Sequence, residues 1–265
     1  MACSYLVKTL CVVLLYVHSC ACGEAEIIGG EKVKAHSLPY MALLLNSTGE
    51  PVCGGTLLSS RWVLTAAHCS DIATVRLGVD TIKNSETDMF VQVQKVAKRY
   101  FHPNYDWPTK DHDLQLLKLD QEAKQTKTVK YLPLASVIPD PPEGTKCMVA
   151  GWGAVNVENK TMSDDLMSAN VTVIKRETCN SPEYYNSDPV ITPDMACAGT
   201  VGESQKDQDT CKGDSGGPLM CNGVQVGITS FGKGCAVRTK PGVYTFLSKQ
   251  HIGWIKKTMQ KPEFF

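Results

Sequence analysis

Asp209-Thr-Cys-Lys-Gly213-Asp214-Ser215-Gly-Gly-Pro218 sets a serine among glycines, directly after an acid, in a segment with too much glycine for the interior of a helix or strand. A serine hydroxyl is a weak nucleophile until a positioned imidazole removes its proton, and that imidazole needs a buried carboxylate to fix its tautomer and stabilise its charge. Two other patterns offer those groups: Leu64-Thr-Ala-Ala-His68-Cys69 and Asp111-His-Asp113-Leu-Gln-Leu-Leu117. Taken singly, each has a plain reading: a structural histidine, a turn acid, a glycine loop. Together, His68, Asp113 and Ser215 supply what acyl transfer requires. The flanking glycines let the backbone N–H groups of Gly213 and Ser215 converge on a developing oxyanion.

Outward from these motifs the chain reads as short strands separated by turns. Val91-Gln-Val93-Gln and Val224-Gln-Val226-Gly-Ile228 alternate, and Asn170-Val-Thr-Val-Ile174 is rich in β-branched residues. Turn chemistry recurs at Pro103-Asn104, Pro139–Gly144, Ser187-Asp-Pro189 and Asn222-Gly223, the spacing of an all-β sandwich or barrel. One helix is expected after Ser248 as N-cap, with Ile252, Ile255 and Met259 on one face and Lys249, Lys256 and Lys257 off it. The Pro-rich stretch 136–145 is the internal boundary between two halves.

Composition bounds the function. The 265 residues are 43% hydrophobic and 20% charged, which suits a folded domain and excludes a disordered tail or a coiled coil. Lys plus Arg and Asp plus Glu are 27 each, so no net field draws the chain to nucleic acid or anionic membrane. Residues 1–22, with Lys8, an apolar run over 9–17 and small residues from Ser19 to Cys22, have a signal-peptide profile and are expected to be removed on a secretory route. The run is too short for a membrane anchor. Of 12 Cys, eight lie after this leader: Cys53, Cys69, Cys147, Cys179, Cys197, Cys211, Cys221 and Cys235. In an oxidising compartment they read as four disulfides, with 105 pairings open. A zinc module would need ligand spacings that are missing here. Sequons at Asn46, Asn159 and Asn170 are candidate glycosylation sites.

With Ile27-Ile-Gly-Gly30, Cys53-Gly-Gly55, Thr65-Ala-Ala-His68-Cys69, Gly151-Trp-Gly153, Gly213-Asp-Ser-Gly-Gly-Pro218 and Lys240-Pro-Gly-Val-Tyr244, the chain resembles the trypsin-like, chymotrypsin-fold serine proteases from Ile27 to about Gln260. The resemblance implies an all-β fold of two antiparallel six-stranded β-barrels with a C-terminal helix. It also implies a signal peptide (1–22), an activation propeptide (23–26) and a peptidase domain (27–265). It supplies the pairing Cys53 with Cys69, Cys147 with Cys221, Cys179 with Cys197 and Cys211 with Cys235. A loop of the size closed by the first is stabilised by about 3 kcal/mol on chain-entropy grounds. Asp209 matches the acid at the base of the trypsin primary pocket, Gly232 and Gly242 match its walls, and Thr210, Ser230 and Phe231 match further lining, so Lys or Arg at P1 is expected. Lys110 matches a position bordering P2. Ile27 is expected to pair its new amine with Asp214 on activation.

Within that family the phrases Ala35-His-Ser-Leu-Pro-Tyr-Met41, Cys179-Asn-Ser-Pro-Glu-Tyr-Tyr-Asn186 and Thr229-Ser-Phe-Gly232 resemble the tryptic granzymes A and K of cytotoxic lymphocytes. That likeness implies storage in cytotoxic granules, activation by a dipeptidyl peptidase and a granule proteoglycan as partner. The mature chain nevertheless carries 26 basic and 25 acidic residues, less basic than granzyme A is expected to be. Asn104 stands where granzyme A has its dimer-linking cysteine, which points to a monomer. No cofactor is expected. Val79 and Met89 replace the acids of a calcium loop, and His102, His112 and Asp111 are read as exposed loop residues, not as metal ligands. The alternatives are a digestive or other extracellular trypsin-like protease, which would end its propeptide in Lys or Arg where this chain has Glu26, and a binding protein with the protease fold but no turnover.

Overall fold

The computed structural model describes residues 29–154, 162–202 and 208–261. The expected leader and propeptide, Ile27 and Asn159 lie outside the described residues. Strands β2 (Met41–Asn46), β3 (Pro51–Ser59), β4 (Trp62–Thr65), β5 (Ile72–Leu77), β6 (Gln92–Phe101) and β7 (Gln115–Leu119) close a first antiparallel barrel in the order β2-β3-β4-β7-β6-β5. A second is built from β8 (Lys146–Gly151), β9 (Met167–Ile174), β10 (Met195–Gly199), β11 (Pro218–Cys221), β12 (Val224–Phe231) and β13 (Gly242–Phe246). It runs β9-β10-β13-β12-β11-β8 and closes through β8 against β9. The two-residue β1 (Glu31–Lys32) pairs with β9, so the N-terminal segment of the described chain crosses to the second barrel. Two six-stranded barrels of the chymotrypsin type result, and closure leaves no long strand edge unpaired.

Burial of apolar side chains along the strands drives the closure. Leu44, Leu57, Leu64, Leu77 and Leu116 from the first barrel and Val149, Val171, Leu219, Ile228 and Tyr244 from the second belong to one continuous buried cluster. Each such aliphatic side chain contributes about 1.5–3 kcal/mol on leaving water. Asn222 and Gly223 have φ of 50° and 77°, the left-handed pair that a two-residue hairpin between β11 and β12 demands. The first barrel ends at Leu119 and the second begins at Lys146, with the Pro-rich stretch in the strandless connection.

Both alternating segments form strands, and in β6 the apolar residue is the outward one. Val93 is 57% exposed, while its neighbour Gln92 bonds the Lys124 backbone through Nε2 to O (2.7 Å) and through Oε1 from N (2.8 Å). The side-chain amide acts there as an extra rung of the wall, which hydrophobicity alone does not reveal. In β12 Val224 is exposed while Gln225, Val226 and Ile228 are all buried, so that strand is covered on both faces. The terminal helix α2 (Lys249–Met259) forms as expected, with Ser248 Oγ accepting from the His251 N–H at 3.4 Å and Ile252 and Ile255 buried. A short α1 (Arg176–Asn180) carried no periodic signal. All four disulfides form in the pairing given above.

Candidate active site

His68 lies in the turn that follows β4, between the Cys53–Cys69 bridge and the strand. Gln115 at the start of β7 braces that turn by donating through Nε2 to the Ala66 and Cys69 carbonyls at 2.6 and 2.7 Å. Asp113 is wholly buried. It receives the His68 backbone N–H on Oδ1 at 2.8 Å and meets His68 Nδ1 through Oδ2 at 2.6 Å. Ser230 Oγ, on β12 of the other barrel, donates to the same Oδ2 at 2.5 Å. Three donors around one buried carboxylate satisfy it and fix the imidazole with Nδ1 toward the acid, leaving Nε2 for a proton from a nucleophile. Ser230, read above only as pocket lining, thus also orients Asp113.

Ser215 follows a sharp turn in which Gly213 has φ 103°. A Cβ at Gly213 would collide with Met162 Sδ and come within 3.0 Å of Gly153 Cα, so only glycine holds the loop here. The Ser215 carbonyl accepts from Gly54 N–H at 2.8 Å and the Gly216 N–H donates to Thr229 at 2.8 Å, pinning the nucleophile's loop to both barrels. The preceding acid, Asp214, is fully buried and accepts from the Gly153 and Cys211 N–H groups at 2.8 and 2.9 Å. Burial pushes its carboxyl up to about 6. Among the described residues no cation forms an ion pair with it.

Beside Ser215 opens a cleft of about 270 Å³ lined by Asp209, Thr210, the Cys211–Cys235 bridge, Ser230, Phe231, Gly232 and Gly242. Every pocket residue expected from the sequence, Lys110 aside, is therefore brought to one place. Asp209 is 4% exposed. Its Oδ2 accepts from the Ala236 N–H at 2.9 Å, whereas Oδ1 has no hydrogen-bond partner. Burial drives its carboxyl up to about 7. A Cβ on Gly242 would stand 2.8 Å from Tyr244 Oη and 3.2 Å from Asp209 Oδ1, closing the route to the acid. Tyr244, noticed in the sequence only as part of a family phrase, is fully buried with its hydroxyl beside Gly242.

Lys110 stands apart from the cleft on the loop before Asp113, with its Nζ 3.2 Å from the ring centroid of the exposed Trp107. Partial burial lowers its pKa. The reading of His102 and His112 as exposed loop residues is corrected: His102 is buried and His112 half-buried, because the loop folds down onto α2 and meets His251. His251 had no signal in the sequence beyond its place on the helix.

A family model described as trypsin matches residues 27–255. The chain belongs to the trypsin family and is, by that family, a serine endopeptidase. Among individual proteins it is 44% identical to granzyme A of Bos taurus over 233 residues, 88% of each chain. It is 39% identical to kallikrein-4 of Homo sapiens over 89% of this chain and 88% of that one. Among solved structures, neuropsin, a serine protease expressed in the limbic system of mouse brain, superposes with a TM-score of 0.75 at 37% identity, covering 87% of this chain and 99% of the other.

Proposed function

We propose that the chain is a secreted, granule-stored endopeptidase of the granzyme type that cleaves after Lys and Arg. The observation that carries the specificity is Asp209: a buried carboxylate at the foot of a deep cleft, one oxygen unpartnered, is a costly feature that a substrate cation relieves. Ser215 attacks the scissile carbonyl as His68 takes its proton, and the N–H groups of Gly213 and Ser215 receive the oxyanion. Asp209→Ser is expected to cost Lys and Arg substrates between about 30-fold and several thousand-fold in kcat/KM, the equivalent of about 2–5 kcal/mol for one partner of a buried charge pair. Cleavage after apolar residues should not fall in parallel, and a peptide library run on protein with a verified Ile27 start measures both. Because the acid is raised from 3.8 to about 7 in the free cleft, the folded form binds more protons than the unfolded one across that window. Stability from this group therefore declines as pH rises through it. Binding of benzamidine should strengthen as pH rises through about 7, and Asp209→Asn should flatten that profile.

Lys110 borders the adjoining subsite in this reading. A cation there disfavours basic P2 residues and tolerates acidic or amide ones. The expected result is faster cleavage of P2 Asp than P2 Lys peptides at low salt, a preference that Lys110→Gln removes. Equal rates in the unaltered enzyme would dismiss the role.

The activation reading is that Ile27, freed by a dipeptidyl peptidase, pairs its amine with Asp214. Gly29 supports it, since its carbonyl accepts from Gln208 Nε2 at 2.8 Å, which ties the start of the described chain to the second barrel's loop that leads to Asp214. Granule proteoglycan is the proposed storage partner of a monomer. Lys98 and Lys261 over Tyr100, and Lys118 over Trp62, gather cations on one face despite the balanced total. Glycans are assigned to Asn46, Asn159 and Asn170, of which Asn170 is exposed on β9.

A further inference from the structure

We propose that His102, His112 and His251 bind one transition-metal ion of the zinc class behind the catalytic Asp113, and that occupancy slows turnover. The three imidazoles come from separate parts of the chain: the end of β6, the loop before β7 and the first turn of α2. Their donor nitrogens all lie within 4.8 Å of one another.

Packed histidines need not be ligands, and what distinguishes His112 and His251 is where their ring nitrogens point, while His102, whose Nδ1 accepts from the Asn104 N–H at 3.4 Å, stacks on His112. His251 donates Nδ1–H to the Phe246 carbonyl at 2.5 Å, which leaves Nε2 as the lone-pair atom. That Nε2 faces His112 Nδ1 at 2.9 Å. A ring nitrogen tied to a backbone carbonyl while the other faces a cluster of donors is the outer-shell arrangement of histidine metal sites. Two carboxylates stand behind the nitrogens. Asp111 Oδ2 is 4.0 Å from His112 Nε2, and Asp194 lies 4.0 Å from both His112 Nδ1 and His251 Nδ1. Asp194 or water completes a four-coordinate set. Imidazole donors select zinc, copper or nickel over calcium and magnesium. The way in is the half-buried side, where the His112 side chain is 16% exposed and both acids are partly open.

Zinc–nitrogen bonds of about 2.0–2.1 Å in tetrahedral geometry separate ligand nitrogens by about 3.4 Å. The ion therefore replaces the 2.9 Å His112–His251 hydrogen bond and spreads the two rings. The proton in that bond passes to His112 Nε2, on the side of Asp111. His112 is the residue before Asp113, has φ 50°, and has its carbonyl tied to Leu114 N–H at 2.7 Å, so it is covalently coupled to the carboxylate that orients His68. The S1 cleft draws no residue from this loop.

The test titrates Zn²⁺ into chelator-stripped, Ile27-started enzyme. One ion per chain is expected, with kcat on an Arg amide falling at least about tenfold and KM unchanged, as suits a sub-ångström displacement of a catalytic group. His112→Asn should keep its metal-free activity and weaken Zn²⁺ binding by at least about 100-fold. Crystals soaked in Zn²⁺ should show an anomalous peak among the three rings, and this decides the matter even if the variant fails to fold. Inhibition of His112→Asn at the same Zn²⁺ concentration, a peak only elsewhere such as on His68, or no stoichiometric binding overturns the proposal.

Discussion

Ser215→Ala is expected to lower amide hydrolysis by on the order of 10⁶-fold in kcat while leaving the folded state intact. The hydroxyl is the only group at that position able to form the acyl-enzyme. What remains, the oxyanion N–H groups and the cleft, binds substrate without completing the reaction. Stability should be little changed, because Ser215 holds its loop through its carbonyl bond to Gly54, which alanine retains. Single-turnover assays on an Arg amide, with circular dichroism as the folding control, check both halves. Wild-type rates on Arg esters would disprove the triad.

The second large effect concerns the start of the mature chain. A form beginning at Gly23 is expected to be about 10⁴-fold or more below the form beginning at Ile27, since two oxyanion donors are at stake and each contributes about 10²–10³. Asp214 is a buried acid whose carboxylate, among the described residues, meets the Gly153 and Cys211 N–H groups. An amine brought beside it would stabilise the ionised form and lock the loop carrying Gly213 and Ser215. Gly23-Glu-Ala-Glu26 is two dipeptides and ends in an acid, so a dipeptidyl peptidase should switch the protein on and trypsin should not. Mass-verified preparations of the two forms, assayed side by side, give the answer. Full activity from Gly23 would refute the mechanism.

Much of this was legible in the chain because its chemistry is local. The Gly213–Pro218 turn, the His68–Cys69 pair and Asp113 stand out as short patterns whose residue types are dictated by the reaction. The Ser248-capped helix follows from period and cap. What stayed hidden depends on contacts over long sequence separations. Ser230 reaching Asp113 joins residues 117 apart. His251 meeting His112 joins residues 139 apart, and no window of sequence holds both. The outward facing of Val93 was not legible, because alternation gives the period of a strand but not which side of a closed barrel is filled. There the Gln92 amide pairs with the Lys124 backbone. The pairing of eight cysteines was open for the same reason until the family likeness chose one.

The contact of Ser230 with Asp113 carries a consequence for modular exchange. Asp113 and His68 are set by one barrel, Ser215 and the cleft by the other, and a hydroxyl from the second barrel terminates on the acid of the first. Thr245 Oγ1 on β13 adds a bond at 3.3 Å to the Asp113 carbonyl, and Gly54 returns one to Ser215. The catalytic groups are thus also the fastening between the halves. A hybrid that joins the first half of this chain to the second half of a relative would not fail gradually with mismatch of its buried faces. It would keep its reactivity as long as the donors at positions 230 and 245 survive the graft, and lose it when they do not, however well each half folds.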